Sequence, residues 1–195
     1  MNDFILDQLI RTNIESDHLI ALIYLAEDTY FDSKLRVPIG KQLISIAAAL
    51  KNSEKPNIDK AVWSAMRRGF SLVNDTNLVL PFLDDKGKVD TRCVALKCLA
   101  TMQHQTPNAS KEIQTKVHDI AKKFLDPNVF RGGENAAIAS HAIIALAAMK
   151  APELANALEM AQKLNRKWLN RFIDDALVPF CERPDNHNQD HLHQA

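Results

Sequence analysis

Apolar residues recur three and four positions apart along nearly the whole chain, and that period leaves it little to fold into except helices. Only five glycines interrupt the 195 residues, and runs of β-type alternation are scarce. The spacing predicts helices at about residues 3–12, 17–28, 38–51, 58–74, 89–103, 111–125, 135–149, 153–164 and 166–181. Residues Leu78 to Leu83 read as a short extra helix or turn. Pro38 and Pro152 suit a first helical position, where a missing N–H costs nothing, and Asn57 and Ser110 suit N-caps. Ile113, Val117, Ile120, Ala121 and Phe124 make one apolar stripe, and Trp168, Phe172, Ile173, Ala176 and Phe180 make another. The segment Ala136 to Met149 is apolar almost all round, as a helix sandwiched between several neighbours would be. The expected architecture is therefore all-α, one helical domain over residues 1–181 followed by a polar tail, 182–195, with no power to build a core.

Bulk properties narrow the setting. At 46% hydrophobic and 25% charged the chain carries enough apolar surface for a real core. Lys plus Arg and Asp plus Glu are both 24, so the basic excess of a phosphate-binding protein is missing and nucleic acid is not the expected partner. A net charge of zero favours association, which makes a homo-oligomer a further expectation. Cys93, Cys98 and Cys181 are an odd set without metal-ligand spacing and read as reduced thiols in a cytoplasmic protein. Asp3 and Asp7 stand where a secretory leader would be basic, and the longest apolar stretch, Leu19 to Ala26, is too short to span a bilayer.

The chain also resembles itself. Phe82-Leu83-Asp84 returns as Phe124-Leu125-Asp126, 42 residues later. The stretch from Ala95 to Met102 returns as Ala142 to Met149, 47 residues later, the difference being an insertion around Arg131-Gly132-Gly133-Glu134-Asn135. Periods in the low to middle forties that hold a helix pair are those of HEAT and armadillo repeats. Thr91 to Leu99 resembles the second helix of a HEAT repeat, with Arg92, Ala95 and Leu99 on the family's arginine and small or apolar positions. Thr91 departs from the usual Val, and Ala139 stands where the second copy would repeat the arginine. The likeness covers about Val79 to Met149. It implies antiparallel helix pairs stacked as a short HEAT-like α-solenoid, a fold whose extended surface suits a protein or peptide partner.

Candidate chemistry is sparse. Val117-His118-Asp119-Ile120-Ala121-Lys122 resembles the central motif of HD-domain phosphohydrolases, which implies a divalent metal held by His118, Asp119, an upstream His and a downstream Asp. His104 stands too close for the upstream ligand and His18 very far, while Asp174 is available downstream. A His-Asp dipeptide arises easily by chance, and two surface residues are the simpler reading of His118-Asp119. His141, on the most apolar helix, reads as an imidazole bonded to a nearby carbonyl. The acid pairs Asp84-Asp85 and Asp174-Asp175 sit at helix ends, the first as a turn cap, and His187, His191 and His193 are a solvated run that binds metal weakly at most. The main expectation is thus an interaction or scaffold module, without a catalytic residue, metal site or cofactor. Its partner-binding residues would be Trp63, Arg67 and Arg68 on one helix, because Trp and Arg dominate binding hot spots. Arg131, Glu134 and Asn135 on the insertion complete the set.

Overall fold

In a computed structural model the described residues are 2–11, 17–55, 58–84, 87–105 and 109–178, and they contain nine α-helices, one 3₁₀ segment and no strand. The helices are α1 (Asn2–Arg11), α2 (Asp17–Asp28), α3 (Ser33–Leu50), α4 (Ile58–Val73), α5 (Val89–Gln105), α6 (Lys111–Leu125), α7 (Gly133–Ala148), α8 (Leu154–Lys163) and α9 (Lys167–Leu177), with the 3₁₀ segment Thr76–Phe82 between α4 and α5. The all-α expectation therefore holds. No helix among the described residues is long and apolar enough to cross a membrane.

Side-chain caps set the starts of α3, the 3₁₀ segment and α6. Ser110 caps α6, its Oγ accepting the Ile113 N–H at 3.4 Å. The start of α3 differs from expectation: Pro38 lies inside the helix, which begins a turn earlier at Ser33. The reason is Asp32, whose carboxylate accepts the N–H groups of Lys34 and Leu35 at 3.1 Å each and so caps that earlier turn. Pro152 likewise lies in the turn before α8. Asn57, Asp85, Phe180, Cys181, the tail 182–195 and the side chains of His18 and His104 lie outside the described residues.

Helices pack on the next but one, α1 on α3, α2 on α4, α5 on α7, α6 on α8 and α7 on α9, and several also on a sequence neighbour, most closely α3 on α4 and α6 on α7. The Ala95–Met102 copy thus lies on α5, and the Ala142–Met149 copy on α7 and its C-cap, two helices that pack together. Between α4 and α5 the next-but-one rule lapses, and the 3₁₀ segment bridges α3, α5 and α6 instead. The molecule consequently has an amino-terminal block, α1–α4, and a carboxy-terminal block, α5–α9, joined through α4, α5 and that segment.

The tightest contact is α3 on α4. A Cβ at Gly69 would stand 2.9 Å from the Gly40 carbonyl oxygen and 2.7 Å from Ile44 Cγ1, and one at Gly40 would stand 2.5 Å from Val73 Cγ2. Glycine is required at this crossing because the two backbones touch. In the other block α7 is the buried centre, with α5, α6, α8 and α9 around it and ten of its side chains buried. Its alanines allow four neighbours close approach without glycine.

α9 departs from the expected stripe. Leu169 and Ile173 are the buried residues, whereas Trp168 is 54% and Phe172 46% exposed. This helix packs mainly on α7, with a slight contact to α8, so only a narrow stripe is covered and the large rings fall outside it.

Candidate functional site

Three regions hold the residues that the sequence singles out. On α4, the side chains of Trp63 and Arg68 are half-buried and bonded within the fold, and Arg67 is bonded but exposed. The Trp63 indole is half-buried against the core and donates to Thr91 Oγ1 at 3.4 Å, linking α4 to α5. Arg68 donates through Nε to the Ala26 carbonyl at 3.1 Å and through Nη2 to the Thr29 carbonyl, and its guanidinium lies 5.5 Å from the Phe31 ring centre. It thereby ties down the carboxy-terminal end of α2, whose last carbonyls lack helical partners. Arg67 reaches Glu27 at 3.1 Å and Ser64 at 3.2 Å, yet its side chain stays 54% exposed. Burial alone would raise the Glu27 carboxyl. Hydrogen bonds from Ser64 and Arg67 and the charges of Arg67 and Arg68 outweigh it and hold Glu27 below the usual range.

The second region is the insertion between α6 and α7. The Asp126 carbonyl accepts from Val129 and Phe130 at 2.9 and 2.8 Å, and its carboxylate accepts the Asn128 N–H at 2.7 Å. Asn135 Nδ2 donates to the Val129 carbonyl at 2.7 Å, so this residue shapes the loop from within. Gly132 and Gly133 have φ of 78° and 52°, and nothing lies near their Cα hydrogens, so the turn needs glycine for its backbone and not for space. The turn leaves Arg131 and Glu134 exposed. It also brings Arg131 beside α9, where Pro127, Phe130, Arg131, Gly132, Arg166 and Trp168 line an open hollow of about 550 Å³. One turn along α9 from Trp168, the Phe172 ring lies 6.4 Å from that of His141. The site residue missed from sequence is Trp168, because the helical stripe places it with the core.

The third region is His118-Asp119 on α6. His118 Nε2 lies 3.3 Å from Asn156 Oδ1 on α8, and Asp119 is exposed. Asp174 lies on α9 at the edge of a small hollow with Leu158, Ala161 and Gln162. Among the described residues no group of three or more His, Cys, Asp and Glu is arranged to hold a metal ion. His141 Nδ1 donates to the Ala137 carbonyl at 2.6 Å, and burial holds its pKa below the ordinary histidine value. That proton commitment matches the expected backbone-bonded imidazole.

Cys93 and Cys98 are buried free thiols, pushed up by burial to about 11 and about 12 respectively. Both are therefore neutral near pH 7 and poor nucleophiles. No protein-family model matches the chain, and neither a curated protein nor a solved structure is detectably similar to it.

Proposed function

We propose that the chain is a non-catalytic interaction module, a short HEAT-like α-solenoid that binds a protein or peptide through the surface where the 126–135 loop meets α9. The observation that carries this reading is the exposed Trp168, set against Arg131 and Arg166 around the hollow and followed one turn later by exposed Phe172. Large rings left in water beside arginines are the composition of binding hot spots, and a monomeric fold gains nothing by exposing them. The insertion sits on one edge of the stacked helices, where repeat folds commonly place their contacts.

The solenoid part of the proposal rests on next-but-one packing and on the two similar copies lying on packed helices α5 and α7. Of the residues singled out from sequence, Arg131 and Glu134 are assigned to the binding surface, with Asn135 shaping the loop that presents them. Trp63, Arg67 and Arg68 are assigned to holding helices together. The phosphohydrolase alternative gains no support from His118, which faces an asparagine, or from Asp119, which faces solvent.

The test is quantitative capture of partners by the wild-type chain, by Trp168→Ser with Arg131→Ala, and by Trp63→Phe. A partner retained by wild type and Trp63→Phe but lost by the double variant, with thermal unfolding unchanged, is the expected result. Equal retention by all three would remove Trp168 and Arg131 from the interface.

A further inference from the structure

A different cavity, in the seam between the two blocks, has the chemistry of a small-molecule site. It encloses about 440 Å³ and is bounded by α3, α4 and α5, with Phe70, Cys98 and Met102 on its floor and Arg36, Arg67 and Lys97 around it. That volume falls within the range of ligand clefts. The floor is built from core residues, since Phe70 is 1%, Met102 4% and Cys98 8% exposed. Phe70 stands edge-on to Phe82, with ring centres 6.0 Å apart. Cys98 presents a neutral thiol, because burial prevails over the nearby charges of Arg67 and Lys97.

The polar groups are one-sided. Arg36, Arg67 and Lys97 come from three different helices, and no Asp or Glu is among the lining residues. Arg67 is paired with Glu27, whereas Arg36 and Lys97 have no ion pair with any described residue. The lining hydroxyls have their protons committed, Ser71 to the Arg68 carbonyl at 2.8 Å and Thr101 to the Lys97 carbonyl at 3.0 Å. Beside the side-chain amide of Asn74, which also lines it, the cavity therefore offers positive charge above an apolar floor.

We infer that this cavity binds a small organic anion with a flat or compact apolar body, a carboxylate of the aryl type, with its head between Arg36 and Lys97 and its body on Phe70 and Met102. The site is separate from the α9 surface and does not depend on the partner-binding proposal. A neutral ligand would leave both cations unanswered, and inorganic phosphate would leave the apolar floor wet. Both halves of the ligand are required.

The experiment is amide NMR titration of the full chain with naphthalene-2-carboxylate, using naphthalene-2-methanol and inorganic phosphate as controls. Expected are saturable shifts centred on Phe70, Thr101 and Met102 with the carboxylate, and binding at least about tenfold weaker for each control. Lys97→Gln and Arg36→Gln, both at exposed positions, should each weaken the carboxylate about fivefold without moving the melting temperature, and Lys97→Arg should restore it. The proposal is overturned by shifts that do not saturate by millimolar probe or that centre elsewhere. Equal binding of the neutral alcohol, or indifference to both glutamine variants, overturns it as well.

Discussion

The two blocks solve the same packing problem with different residues. In α1–α4 the decisive contact is a glycine crossing, Gly40 against Gly69, reinforced by arginines that reach from α4 to the end of α2. In α5–α9 a single alanine-rich helix, α7, is surrounded, and packing of side chains on its several faces replaces backbone contact. The first block is therefore sensitive at a few points of close approach, while the second spreads its stability over many small contacts. The difference also bears on function. The first block uses Trp63 and Arg68 internally, whereas the second buries Arg92 over Phe124 and leaves Trp168 and Arg131 facing outward.

Removing bulk from the centre of the second block should have the largest effect. Leu146→Ala, at a fully buried position on α7, is expected to cost about 3 kcal/mol by leaving a cavity that four helices cannot close, read from denaturant unfolding. Adding bulk to the first block comes next. Gly69→Ala should cost about 2 kcal/mol net, because the clash with the Gly40 carbonyl exceeds alanine's helical advantage of roughly 1 kcal/mol. Hydrogen exchange should then accelerate in α3 and α4 and leave α7 protected. Uniform acceleration would mean that the blocks do not differ as described.

Arg68→Gln follows, at about 1–2 kcal/mol, since it strips donors from the last carbonyls of α2 and removes the guanidinium from Phe31. Smaller again is a pH effect in the second block. The folded His141 has a lowered pKa, so the unfolded chain binds its proton more readily. Its contribution is complete above the unfolded value near 6.5 and is lost as pH falls below it. His141→Asn should accordingly flatten the decline of the melting temperature between pH 7 and pH 5. An unchanged decline would assign the effect to other groups.

Helix existence was legible throughout, because Ile113, Val117, Ile120 and Ala121, and the all-round apolar α7, mark their own burial by spacing. What spacing cannot express is contact between segments. Gly40 and Gly69 are 29 residues apart in the chain, and neither carries a local sign that the other will meet it. The acceptors of Arg68 are backbone carbonyls, which any sequence possesses, so a structural arginine and a binding arginine look alike in one dimension. Trp168 misled for the converse reason. Its stripe is genuine, but how much of a stripe is covered depends on how many helices arrive to cover it, and α9 is packed mainly by α7. The cationic cavity takes Arg36 from α3, three residues from α4 and four from α5, and no motif foreshadows it.

The central claim is that this chain acts by holding another protein and not by chemistry at a metal. Native mass spectrometry on untagged chain, taken gently from its own cells, tests it most directly. The account predicts a metal-free species carrying a second protein, and the same preparation of Trp168→Ser should give the chain without it. A chain mass plus a divalent ion, with no second protein, would contradict the account and return His118 and Asp119 to the centre of the question.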